Sequence, residues 1–143
     1  MKRRKWIYIT GSLLLAGFFG LWLLNRPFSS PSASEVLSMR AELFKRGYVG
    51  AEIPEIPGFE IPKAHYQAIL DSLNGSARDF FPLTWQGLGL IDIRLSTGSI
   101  SVALCWTGHE SGAFISNGSY YRGASDSEFV QIIEAASHHK SEP

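Results

Sequence analysis

The sequence predicts an α+β fold: an N-terminal transmembrane helix, then a small domain of helix, four-stranded antiparallel meander and helix. Three observations carry that expectation. Residues 88–123 contain two successive stretches of apolar alternation broken by turn residues. A helix-periodic apolar stretch flanks them on each side. Ahead of both, Trp6 to Leu24 runs without a charged residue.

The meander is two β-hairpins. In the first, Ile91, Ile93 and Leu95 alternate with Leu90, Asp92 and Arg94; after Ser96-Thr97-Gly98-Ser99 the alternation resumes with Ile100, Val102, Leu104 and Trp106. Alternation of this kind marks a strand with one buried face. A turn centred on Thr97-Gly98 sets Leu95 opposite Ile100, Ile93 opposite Val102 and Ile91 opposite Leu104. Cross-strand partners share a face, so all six aliphatics fall on one side. Thr resists positive φ, which makes this a weaker turn than Asn-Gly. The second hairpin has Asn117-Gly118, a type I′ signature. It pairs Ile115 with Tyr120, Phe114 with Tyr121, and Ala113 with Arg122, between Gly112 and Gly123. A sheet with one apolar face needs a cover, which the flanking helices supply.

In chain order, residues 1–5 form a basic tail with Lys2, Arg3, Arg4 and Lys5. Residues 6–24 would make a helix of about 28 Å, close to the roughly 30 Å hydrocarbon core of a bilayer. Basic residues before the run and a single Arg26 after it predict a single-pass signal-anchor in the cell (inner) membrane. The N-terminus would be cytoplasmic and the domain extracytoplasmic. Trp6, Tyr8 and Trp22 sit where amphipathic rings favour the interface. The rival reading is a cleaved signal peptide and a secreted product. It fits less well, because the run is longer than the apolar region of such peptides and the best cleavage site is Ser32-Ala33-Ser34. Ser12, Ala16 and Gly20 form a stripe of small residues, a common feature of membrane helices that also permits self-association.

Residues 25–33 read as a Pro/Ser linker. In residues 34–61, Ser34 caps a helix from Glu35 to Arg46 with Val36, Met39 and Leu43 on one stripe and Gly47 as its stop. Ile53-Pro54, Ile56-Pro57 and Ile61-Pro62 then bias the chain to an extended strap over Ala51 to Phe59. Residues 62–137 are the α+β domain. Pro62 opens a helix with Tyr66, Ile69, Leu70 and Leu73 on its apolar face, ended by Asn74-Gly75. Residues 76–87 form a loop whose Phe80, Phe81, Pro82 and Trp85 plug an end of the core. Ser125 with Glu128 caps a last helix carrying Phe129, Ile132, Ile133 and Ala136. Residues 138–143 are a disordered tail.

Charge narrows the functional classes. Lys2, Arg3, Arg4, Lys5 and Arg26 precede the first acid, Glu35, so beyond Arg26 eight basic residues face thirteen acidic ones. An acidic domain is a poor polyanion binder, which sets nucleic acid aside. One cysteine means no internal disulfide. A thiol enzyme would need Cys105 and His109 together, with Asp92 on the face of Cys105; a mid-strand thiol and a loop imidazole are a strand's rise apart, and a buried cysteine is commoner. His109-Glu110 and His138-His139 are adjacent pairs rather than spaced metal ligands. Gly87 and Gly89 precede a strand where a nucleotide-binding loop needs them after one. No cofactor or metal is implied. What remains is recognition of a protein partner, with Trp85, Tyr121 and Arg122 as residue types enriched at hot spots. The alternatives are a small-ligand-binding or sensory envelope module and the thiol enzyme.

Overall fold

A computed structural model describes residues 2–44, 46–48, 51–53, 55–80, 85–106, 113–123 and 126–138, with side chains for all of these except 2–10, 23–24, 46–48, 51–53 and 126–128. In chain order the elements are α1 (Lys2–Leu24), β1 (Val36–Leu43), β2 (Arg46–Tyr48), β3 (Ala51–Ile53), β4 (Ile56–Glu60), α2 (Tyr66–Leu73), β5 (Ala77–Asp79), β6 (Gln86–Leu95), β7 (Gly98–Trp106), β8 (Ala113–Ser116), β9 (Ser119–Arg122) and α3 (Asp126–His138).

The expected four-stranded meander is the middle of something larger. The sheet is seven-stranded and antiparallel throughout, in the order β4-β1-β6-β7-β8-β9-β5, beside a separate β2–β3 pair. The expected helix over Glu35–Arg46 is strand β1, which lies between β4 and β6. Met39, Ala41 and Leu43 alternate inward there, pairing with Ile93, Ile91 and Gly89. Cross-strand packing on both sides outweighs a local helical stripe. A capping box does form, but at Ser32, where the Glu35 carboxylate accepts the Ser32 N–H at 2.8 Å, and it starts only the single 3-10 turn Ala33–Glu35. Within the expected strap, Ala51–Ile53 is β3, paired to β2, and residues 56–59 lie in β4, paired to β1; Pro54 lies outside the described residues. The loop after α2 contains β5, paired to β9.

Both hairpins are present. The second has the expected register, Ile115 opposite Tyr120, Phe114 opposite Tyr121 and Ala113 opposite Arg122. Asn117 and Gly118 take φ of 48° and 71° in its turn. The first turns one residue earlier: Leu95 faces Gly98, Ile93 faces Ile100 and Ile91 faces Val102. Thr97 avoids positive φ, and Gly98 absorbs the strain at φ 150°. The partners shift by two residues, so the same side chains stay on the same face. A bulge between Gly87 and Gly89 brings β6 against β1, where a Cβ on Gly89 would collide with the Glu42 carbonyl.

One face of the sheet carries the core. Met39, Ala41, Ile91, Ile93, Val102, Leu104 and Phe114 meet Ile69, Leu70 and Leu73 of α2 and Phe129, Ile133 and Ala136 of α3. On the opposite face Arg40, Asp92, Arg94 and Ser101 are exposed, while Cys105, Ala113 and Tyr120 form a second small buried cluster. The linker is not free. Phe28 is 9% exposed, and its backbone bonds Ser76 and Gly75. An apolar side chain in a polar Pro-flanked segment found the core; the segment's composition concealed it.

The N-terminal expectation also needs correction. Helix α1 exists, but among the described residues no helix is long and apolar enough to cross a membrane. Its first residues are the basic Lys2–Lys5. The transmembrane, single-pass signal-anchor assignment is therefore withdrawn.

Candidate interaction surface

Of the residues singled out as partner-binding, Tyr121 and Arg122 lie on β9 beside the β5 margin, whereas Trp85 precedes β6, four strands away in the sheet. Strand β9 pairs with β5 so that Tyr121 lies opposite Arg78 and Arg122 opposite Ala77. Neighbouring residues on a strand point to opposite faces, and the two side chains do different work. Tyr121 is half-buried on the core face, stacked on Phe114 at 5.3 Å and met edge-on by Phe28 at 5.3 Å. Arg122 lies on the outer face and bonds the Asp79 carboxylate at 2.7 Å. Elsewhere on the outer face Asp92 accepts the Ser101 hydroxyl at 2.7 Å.

Trp85 is 41% exposed immediately before β6, and Phe80, expected to plug the core, is 49% exposed immediately after β5. The Arg78 guanidinium stands 5.2 Å from the centre of the Phe80 ring, a cation–π spacing. Phe81 and Pro82 lie outside the described residues. Two aromatics therefore stand in solvent at the ends of the segment that leaves the sheet at β5 and returns at β6. The signal that could have found Phe80 is its place directly after a short edge strand, but a three-residue strand leaves no periodicity to read.

The opposite margin is closed. Pro57 in β4 has no N–H to offer, and Arg40 reaches from β1 to donate to the Gly58 carbonyl at 3.2 Å. A Cβ on Gly58 would stand 2.6 Å from that guanidinium, so glycine makes room for it. The groove there, lined by Ser38, Arg40, Gly58 and Glu60, has a volume of about 360 Å³.

Helix α1 is the other unusual surface. Leu13, Leu14, Leu15, Phe18, Phe19, Leu21 and Trp22 are all exposed. Ser12 and Ala16 are exposed and Gly20 half-buried, and a Cβ on Gly20 would meet nothing within 4 Å. Arg26 covers the Trp22 ring at 4.6 Å.

Cys105 is fully buried, its Sγ 3.6 Å from the Ala103 carbonyl. His109 lies outside the described residues, so the thiol–imidazole pairing has no geometry to judge. No family model, curated protein or solved structure matches the chain.

Proposed function

We propose that the chain is a protein-interaction module whose β5 margin receives an extended segment of a partner protein. The observation that carries this is the asymmetry of the sheet: at β4 Arg40 occupies the Gly58 carbonyl and Pro57 offers no N–H, whereas β5 ends the sheet beside the exposed Phe80. Strand addition to an edge draws affinity from backbone bonds and specificity from side-chain contacts. Three residues offer few backbone bonds, so side chains must supply most of the affinity, Phe80 beside β5 first among them. Large aromatics do so at low entropic cost. The exposed apolar side chains of α1 support the same class of function, since surface of that kind is ordinarily covered in the working state.

Site-specific photo-crosslinking in intact cells tests the reading. A photoreactive residue at Phe80 or at Trp85 is expected to give one shared adduct, and the same probe at Glu60 on β4 to give none. Equal adducts from both margins, or none from β5, would overturn it.

A further inference from the structure

Phe28 differs from the rest of the core in how it arrives. The segment that brings it has no regular structure, and Asn25, Arg26, Pro27 and Ser29 around it are exposed. Its backbone ties are two: Phe28 N–H to the Ser76 carbonyl and Gly75 N–H to the Phe28 carbonyl, both 2.9 Å. A third contact, Ser30 N–H to Asn74 Oδ1, is long at 3.4 Å. The wall it meets is built without it. Phe114 and Tyr121 stack at 5.3 Å and 20°, and Phe129 of α3 backs Phe114 edge-on at 6.4 Å. Phe28 sets its ring edge-on to that stack, 5.1 Å from Phe114 and 5.3 Å from Tyr121. Edge-to-face contact is the favoured geometry between rings, and any aromatic side chain can make it.

From this geometry we propose that the slot beside Phe114 and Tyr121 is a binding site for an aromatic side chain on an extended peptide, held closed in cis by Phe28. The competing peptide brings a ring to the slot, a backbone donor to the Ser76 carbonyl and an acceptor to the Gly75 amide. This N-terminal strap, residues 25–32, opens as a local unit before the sheet does, because few bonds hold it and its neighbours are already in water. The slot adjoins β5, because Ser76 directly precedes that strand and Tyr121 lies opposite Arg78; Phe80 and Trp85 take no part in it, so the crosslinks at those residues and the peptide-binding test can fail separately.

The test uses the full chain carrying Phe28→Ala and a synthetic peptide copying residues 25–32, Asn-Arg-Pro-Phe-Ser-Ser-Pro-Ser. Saturable binding is expected, lost when the peptide's Phe is replaced by Ala and at least about tenfold weaker to wild type, whose tethered strap competes at high effective concentration. Absence of saturable binding to Phe28→Ala, or equal binding to wild type, would overturn the proposal. If Phe28→Ala fails to fold, native-state hydrogen exchange on wild type decides. The Phe28 and Gly75 amides are expected to exchange about 100-fold faster than those of β6 and β7; equal rates would show that the strap belongs to the global unit and that no separable site exists.

Discussion

At one margin of the sheet, β4 lays Pro57 and Gly58 along the outside and Arg40 crosses from β1 to occupy the Gly58 carbonyl. At the other, β5 ends after Asp79 and hands the chain to exposed Phe80. Unpaired edge strands template association with other chains, and folds defend them with prolines, charges or brevity. The β4 margin uses a proline and a charged side chain, and a glycine keeps that side chain in place. The β5 margin is short, carries Arg78 and Asp79, and is followed at once by the exposed ring of Phe80. Margins built so differently support the proposal that β5 rather than β4 receives a partner.

The largest expected effect tests that division directly. Phe80→Ala combined with Trp85→Ala should weaken partner binding by about 2 kcal/mol or more, the scale of truncated hot spots, while the thermal midpoint stays near wild type because both rings are exposed. Titration of the crosslinked partner against both proteins measures it. An equal loss from Arg40→Ala would erase the difference between the margins. Next comes Gly118→Val. Strand β5 hangs on β9, and β9 is positioned by the turn in which Gly118 holds φ 71°. A β-branched residue there costs about 1–2 kcal/mol or more, read as a lower urea midpoint. Unchanged midpoints would mean that the turn does not position β9.

The same contrast explains what the sequence made legible. The second hairpin is set by Asn117-Gly118, a local signal with one favoured geometry, and its pairs follow by counting. In the first, the only residue tolerant of positive φ is Gly98, one place beyond an ideal two-residue turn, so the alternation predicts the face while the register moves by two. Strand β1 was hidden because Val36, Met39 and Leu43 fit a helical stripe, whereas Met39, Ala41 and Leu43 fit a strand; only β4 and β6, distant in sequence, decide between them. Strand β5 is too short to show a period, and so its margin and the exposure of Phe80 were unreadable. Of the predicted surface, the separation of Tyr121 from Arg122 follows from their adjacency on a strand. The choice of Asp79 as the partner of Arg122 does not, since it depends on β5.

Opening the closed margin should have a smaller effect. Arg40→Ala removes a charge-assisted bond to an exposed strand and is expected to cost about 1 kcal/mol of stability. It should also let β4 pair with a second copy, giving dimers that grow with protein concentration in sedimentation runs. Gly58→Ala sharpens the point: its Cβ would stand 2.6 Å from the Arg40 guanidinium, so the arginine must swing away while its charge is retained. Dimers in both variants would assign the defence to the Arg40–Gly58 bond; dimers in Arg40→Ala alone would assign it to the charge.

The smallest effect lies beneath that margin. The Tyr66 hydroxyl is held by the backbone of Met39 in β1 and lies near Glu60 in β4. Burial raises its pKa above the ordinary 10.0 and the Glu60 charge adds to the rise, while the Met39 bond pulls the other way. The native state therefore keeps the phenol proton to higher pH than the unfolded chain does. Its contribution to stability is present in full below pH 10.0 and is lost as pH climbs through the folded value. Urea midpoints of wild type should accordingly fall more steeply above that pH than those of Tyr66→Phe, with the two curves parallel below it. Parallel curves throughout would place the hydroxyl in water, and would mean that β4 covers the top of α2 less closely than its Arg40 seal implies.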